Sequence, residues 1–147
     1  MIDFCEYEDE EIRMRIPSYL RKKKSNRLFA PSRRGKDKEI LVLGVSLGSE
    51  EHAKMARRVM ADAKFVDWMG VQQRAVRRGA APYLEDGFEL LSTSFNTING
   101  DIFHDYTITF LTGGHYVDVR IFGTGDVDGF YAICTEIVTS ISLTQRG

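Results

Sequence analysis

The stretch DGFELLSTSFNTINGDIFHDYTITFLTGGHYVDVRIF, residues 86–122, decides the fold. Three dipeptides punctuate it: Asp86-Gly87, Asn99-Gly100 and Gly113-Gly114. Such pairs tolerate the positive φ that two-residue hairpin turns require. Between them lie Phe88–Ile98, Ile102–Leu111 and His115–Phe122, each the length of a strand. Strands joined by tight turns run antiparallel, so the predicted unit is a three-stranded meander. In its middle strand Tyr106, Ile108 and Phe110 alternate with Asp105, Thr107 and Thr109. In its last strand Val117, Val119 and Ile121 oppose Tyr116 and Asp118. A period of two places the apolar set on one buried face and the polar set on the other.

The flanks extend this unit. Gly123-Thr124-Gly125-Asp126 is a loop ending in a helix N-cap, and Val127, Phe130, Ile133, Cys134, Ile137, Val138 and Ile141 recur at helical spacing. The spacing predicts an amphipathic helix ending near Ser142. Upstream, Val71–Pro82 carries Arg74, Arg77 and Arg78 and then Gly79-Ala80-Ala81, a pattern that selects neither helix nor strand. Ser49-Glu50-Glu51 is a helix start, a capping hydroxyl followed by first-turn carboxylates. Ala53, Ala56, Val59, Met60, Ala63 and Val66 follow at helical spacing, and Gly70 is a natural C-terminal cap for a helix ending near Trp68–Gly70. Ile40–Leu47 (ILVLGVSL) reads as a central strand, with Gly44 marking a bulge or close packing. Ile12–Ile16 alternates apolar and charged residues up to Pro17, and residues 18–38 read as a basic loop with one short strand at Leu28–Ala30. The expected architecture is α+β, an antiparallel sheet of about five to six strands packed by two helices. Residues 1–147 are expected to form a single domain, a usual length for one.

Charge is sorted into blocks. Met1–Glu11 has six acids and no base; Ile12–Lys38 has eleven bases against one acid, a net +10; Gly79–Gly147 has nine acids against Arg120 and Arg146. The net charge of −1 conceals this polarity. Fields of this kind steer charged partners. The strongest basic candidates are Arg21, Lys22, Lys23, Lys24, Arg27, Arg33 and Arg34, with Tyr19 and Phe29 interleaved. The acidic candidates on the meander are Asp101, Asp105 and Asp118. The acidic first residues are placed to fold back and neutralise the basic run. That possibility and the net charge disfavour nucleic acid against protein as the partner.

Catalytic and metal chemistry finds no foothold. His104-Asp105 and His115 with Asp118 fall on opposite faces of their strands. His104 and His115 are candidates to meet across the Gly113-Gly114 hairpin, but two histidines lack the further ligands zinc takes. Ser92 and Ser94 have no nucleophile-elbow context. Gly123-Thr124-Gly125 lacks the Lys-Ser/Thr of a phosphate loop. Cys134 sits in the apolar helical stripe and is expected in the core; with Cys5 it makes neither CxxC nor a disulfide framework. Met1–Glu6 lacks the features of a secretory signal, and no apolar run approaches the roughly 18 residues of a membrane span. A reducing cytoplasm, no cofactor, no metal and no membrane insertion are the expectations.

Several of these segments resemble the Mog–PsbP superfamily, which includes Ran-binding Mog proteins, the photosystem protein PsbP and the Eag-type chaperones of type VI secretion effectors. The residues are Ile16-Pro17 at the end of a charged strand, Tyr19 soon after, Ile40–Leu47 running directly into a helix, and Ile137-Val138-Thr139-Ser140-Ile141-Ser142-Leu143 at the end. The resemblance covers most of the chain and implies a non-enzymatic, partner-binding protein. Its most concrete form is a cytoplasmic immunity protein that neutralises a secreted toxin or effector domain of the type VI or Rhs kind by occlusion. The alternatives are an Eag-type effector chaperone and a nucleic-acid-binding module using the basic loop.

Overall fold

The computed structural model describes residues 2–23, 27–31, 41–48, 51, 54, 72–78, 85–95, 102–112 and 115–144. Among them lie ten strands: β1 Phe4–Glu8, β2 Ile12–Pro17, β3 Leu20–Lys22, β4 Arg27–Pro31, β5 Leu41–Gly48, β6 Gln72–Arg78, β7 Glu85–Phe95, β8 Ile102–Thr112, β9 His115–Thr124 and β10 Ser142–Leu143. One helix, α1, spans Val127–Thr139. The strands form a seven-stranded sheet in the order β3-β4-β5-β9-β8-β7-β6 and a three-stranded sheet in the order β1-β2-β10. Every pairing is antiparallel.

The meander is the centre of the large sheet. β8 and β9 pair from Phe103↔Thr124 to Thr112↔His115, which aligns Tyr106 with Ile121, Ile108 with Val119 and Phe110 with Val117. All six are buried, so the alternation in the sequence becomes one continuous apolar face. β5 adds Leu41, Leu43 and Val45 to the same face, and β4 adds Phe29. Against this face rest the buried side chains of β2, Ile12, Met14 and Ile16, and of α1, Phe130, Cys134, Ile137 and Val138.

Local chemistry sets the ends of α1. Asp126 is the N-cap in extended conformation, and its Oδ2 accepts from the Gly129 amide at 2.9 Å. Gly125 immediately before it takes φ of 99°, where a side chain would be strained. The helix stops at Thr139, three residues before the position its apolar spacing predicts. The Ser140 hydroxyl donates to the Ile137 carbonyl at 2.6 Å and accepts the Arg15 amide at 2.8 Å. The chain then leaves the helix, and Ser142 and Leu143 pair with Arg13 and Ile12 of β2.

Other expectations need correction. Asp86-Gly87 is no turn: it lies inside β7, where the register shifts between Glu85 and Gly87. Gly44 marks neither a bulge nor a tight approach, since it pairs regularly with Leu28 and Arg120 and an added Cβ would meet only the Arg120 carbonyl at 3.9 Å. The basic segment read as a loop with one short strand at Leu28–Ala30 has that strand, as β4 Arg27–Pro31, and a second, β3 Leu20–Lys22. Residues 72–78, left open by the sequence, form an edge strand. Two helices and about five to six strands were expected; one helix and ten strands are delimited among the described residues. Glu51 and Lys54 are helical, and the remainder of the helix expected over 49–70 lies outside the described residues.

The buried middle and the exposed start of β8, on the same face of the strand, predict contrasting responses to one chemical change. Ile108→Ala, at a fully buried position, should lower the unfolding free energy in urea by about 2–5 kcal/mol. Ile102→Ala, at a position 46% exposed, should shift it by no more than about 0.5 kcal/mol.

Candidate partner-binding surfaces

The basic residues do not form one patch. β3 pairs with β4 so that Arg21 lies opposite Ala30 and Lys22 opposite Phe29. Neighbours in a strand face opposite sides, and this separates the two cations. Arg21 Nη1 donates to the Ser18 and Leu20 carbonyls at 2.7 and 2.9 Å. The Lys22 ammonium lies 5.7 Å from the Tyr7 ring centroid. Lys23 is exposed, with its backbone amide bonded to the Leu28 carbonyl at 2.7 Å. Lys24, Arg33 and Arg34 lie outside the described residues.

Arg27 is different in kind. Its side chain is only 14% exposed. Nε donates to Asp9 Oδ2 at 2.7 Å, and Nη2 to Glu11 Oε1 at 2.7 Å. Asp9 gathers further donors: the Tyr7 hydroxyl at 2.8 Å, and the amides of Glu11 and Ile12 at 2.8 and 3.0 Å. Burial alone would raise the Asp9 pKa. The Arg27 hydrogen bond, together with the Glu11 amide, the Tyr7 hydroxyl and the Ile12 amide, outweighs it and holds the carboxyl well below the usual range. The acidic first residues do fold back onto the basic run here, at Asp9 and Glu11. A second pair, Glu8 with Arg13 at 2.9 Å, stays within the β1–β2 hairpin.

The acidic residues of the meander share the face of the large sheet away from the core. Asp105 on β8 takes a two-pronged contact from Arg120 on β9, Nη2 to Oδ2 at 2.6 Å and Nε to Oδ1 at 3.2 Å. Asp118 on β9 accepts from the Thr109 hydroxyl at 2.7 Å. Arg120 sits between the two carboxylates along β9 and offsets part of their charge. Beside them Phe103 and Phe122 stack with centroids 5.4 Å apart. Asp101 lies outside the described residues.

The histidines are kept apart. His104 is opposite Gly123 and His115 opposite Thr112, at the two ends of the β8–β9 pairing, so they do not meet across the hairpin. His104 is buried on the core face. Its Nε2 lies 2.7 Å from the Gly125 carbonyl, which can only accept, so Nε2 carries the proton; in the neutral ring the Thr93 hydroxyl then donates to Nδ1 at 3.0 Å. Phe130 packs on the ring at 5.1 Å. His104 thus anchors the loop that enters α1. Among the described residues no group of three His, Cys, Asp or Glu side chains converges to hold a metal.

The sequence reading missed a groove of about 420 Å³ along α1, lined on one side by Ile2, Phe4, Tyr19 and Leu41. Its helical wall is Gly129, Ala132, Ile133 and Glu136. These recur at i, i+3, i+4 and i+7, a second stripe beside the core stripe, and that spacing was the available signal. The signal passed unnoticed because two of the four residues are small.

No protein-family model and no curated protein matches the chain. Among solved structures, a variant of the protein Mog1 superposes with a TM-score of 0.57 at 9% identity, covering 97% of this chain and 96% of that one. The Saccharomyces cerevisiae Ran-binding protein Mog1p gives 0.56 at 9% identity, with coverage of 97% and 96%. LpqN of Mycobacterium tuberculosis, involved in cell envelope biogenesis, gives 0.54 at 12% identity, with coverage of 98% and 92%. The chain has the Mog1/PsbP-like fold. In this Mog1-like arrangement the small sheet, α1 and the start of β5 enclose the groove, while the charged candidates lie on the β3–β4 hairpin and the far face of the meander.

Asp9 gives a signed pH prediction for this Mog1-like domain. A carboxylate whose folded pKa is depressed stabilises the fold above its unfolded pKa and ceases to do so as pH falls. The unfolding free energy of the natural chain should exceed that of Asp9→Asn by about 2 kcal/mol at neutral pH. The difference should shrink steadily as denaturation is repeated from about pH 4 down to about pH 2.

Proposed function

We propose that this chain is a non-enzymatic, cytoplasmic protein-binding module, and that its partner is a secreted antibacterial toxin or effector domain, of the type VI or Rhs kind, which it neutralises by occlusion. The observation that carries the protein-binding part is the Mog1-like fold across nearly the whole chain, a fold that in Mog1p belongs to a Ran-binding protein. Fold analogy supplies a class of function; the surface must supply the contact. Polarised charge supports such a contact, because it accelerates encounter with a complementary protein and rejects others. The basic candidates are Arg21 on one side of β3, Lys22 on the other and Lys23 beyond it, with Lys24, Arg33 and Arg34 as candidates by sequence outside the described residues. Asp105 and Asp118 form the acidic candidate surface, and Asp101 is a candidate by sequence outside the described residues. Arg27 contributes by holding the β1–β2 turn against β4.

A second reading, an Eag-type chaperone shielding apolar helices, is favoured by the stacked Phe103 and Phe122 on the outer face of the meander. The Asp105–Arg120 pair borders that apolar area and limits it. No helix among the described residues is long and apolar enough to cross a membrane.

Co-purification with the product of each neighbouring gene tests the proposal. Capture of a toxin domain, and survival of cells expressing that toxin only when this chain is present, is the expected result. Arg21→Glu/Lys22→Glu/Lys23→Glu should then slow association with the captured partner roughly tenfold if the basic surface is used, and Asp105→Lys/Asp118→Lys should do so if the acidic one is. Absence of capture and of protection for every neighbour sinks the immunity reading. A steep fall of affinity for DNA or RNA with salt would replace it with nucleic-acid binding.

A further inference from the structure

The groove along α1 has the shape and polarity of a subsite for a particular side-chain pattern. Its centre is apolar: Phe4, Leu41, Phe130 and Ile133 form the floor and walls. Ile2 and Tyr19 stand at its edge, 37% and 41% exposed, two of the five large apolar side chains in the described structure that remain so open. Its volume, about 420 Å³, accepts one aromatic or long aliphatic side chain together with adjoining backbone.

Carboxylates mark both ends. Asp126 uses Oδ2 to cap α1, and among the described residues no lysine or arginine pairs with it. The helix N-terminus is worth about half a positive charge, and Asp126 with Asp128 in the first turn exceeds it, so that end is net negative. At the other end Glu136 pairs through Oε1 with Arg15, whose guanidinium also lies 5.5 Å over the Phe4 ring. The chain's own Arg15 thus demonstrates the arrangement this end favours, a cation held between a carboxylate and an aromatic face.

Spacing completes the pattern. At about 1.5 Å of rise per residue, Asp126 and Glu136 are about 15 Å apart along α1. In an extended peptide, residues i, i+2 and i+4 face one side and span about 13 Å. We infer that the α1 groove binds an extended segment of a partner protein that presents a cation, an apolar side chain and a second cation at i, i+2 and i+4. The central side chain enters between Phe130 and Leu41, and the flanking cations reach Asp126 and the Oε2 side of Glu136. This inference rests on the protein-binding reading but not on the identity of the partner.

The test is an amide-resolved NMR titration of the full chain with three capped peptides: Lys-Ala-Phe-Ala-Lys, Glu-Ala-Phe-Ala-Glu and Lys-Ala-Ala-Ala-Lys. The first should give saturable shifts centred on Gly129, Ala132, Ile133 and Phe4. The other two should bind at least roughly tenfold more weakly. Ala132→Trp, at an exposed helix position, fills the groove and should abolish the shifts. Asp126→Asn/Glu136→Gln keeps a capping side chain and should weaken the first peptide roughly tenfold. Equal binding of the acidic peptide, or undiminished binding to Ala132→Trp, overturns the inference, as does full-strength binding to the charge-neutral double variant. If a native partner is captured equally by the natural chain and by Ala132→Trp, the groove is excluded and the protein-binding reading survives. If the first peptide binds as described and no cellular protein is captured, the groove stands and the immunity reading falls.

Discussion

The Asp9 carboxylate is the joint between the two sheets. It closes the β1–β2 turn through the Glu11 and Ile12 amides and reaches β4 through Arg27. Tyr7 and Lys22 complete the junction: the Tyr7 hydroxyl bonds Asp9, its ring meets Phe29 edge-on at 4.9 Å, and its face lies beneath the Lys22 ammonium. The small sheet must sit at this place and angle for β2 to deliver Ile12, Met14 and Ile16 into the core. α1 is fixed in turn, because Ser140 bonds the Arg15 amide and Glu136 holds the Arg15 side chain. An ionic contact of this sort is costly to form, since two charges leave water. Here the carboxylate oxygens each accept more than one donor, and that repays the desolvation.

That junction changes how the charge polarity should be understood. The acidic beginning and the basic block are neighbours in space as well as in sequence, and part of each is spent on the other. Among the described residues of the basic block, the strand period of β3 divides Arg21 on one side from Lys22 on the other. The acidic charge of the meander is divided by Arg120. Among the described residues a partner therefore meets small, separated charges bordered by aromatic rings, at Phe103–Phe122 and at the α1 groove. Such mixed surfaces suit protein recognition, in which apolar anchors supply most of the affinity and charges supply register.

The meander was legible because residues 102–122 bury one face only, and any slip of register would expose the apolar set. The Asp126 cap was legible for a local reason, a side chain bonding an amide three residues on. β1 was not: its apolar Phe4 and Tyr7 are three apart, and as an edge strand it is mostly exposed. β3 has two polar, exposed residues out of three, so its pairing with β4 decides it. The end of α1 misled because Ile141 continues the helical stripe, yet the free edge of β2 offers Ser142 and Leu143 ladder bonds that the helix cannot match. The Asx turn at Asp9 can be read from its local spacing, but its partner Arg27, in a distant strand, cannot. The groove needed the tertiary structure, since no local pattern brings Ile2 and Tyr19 to α1.

The pairing of β10 with β2 sets the order in which the domain can be completed. Ile12 meets Leu143, so the intervening chain must be traversed before that contact exists. Closing so long a loop costs more entropy than closing a hairpin, although the cost grows only slowly with length. The meander and α1, built from neighbours in sequence, can assemble early, whereas the small sheet gains its third strand only when the last helix has docked. Until then the β2 edge that receives Ser142 and Leu143 is unpaired, so during synthesis this edge is open to pairing with another chain.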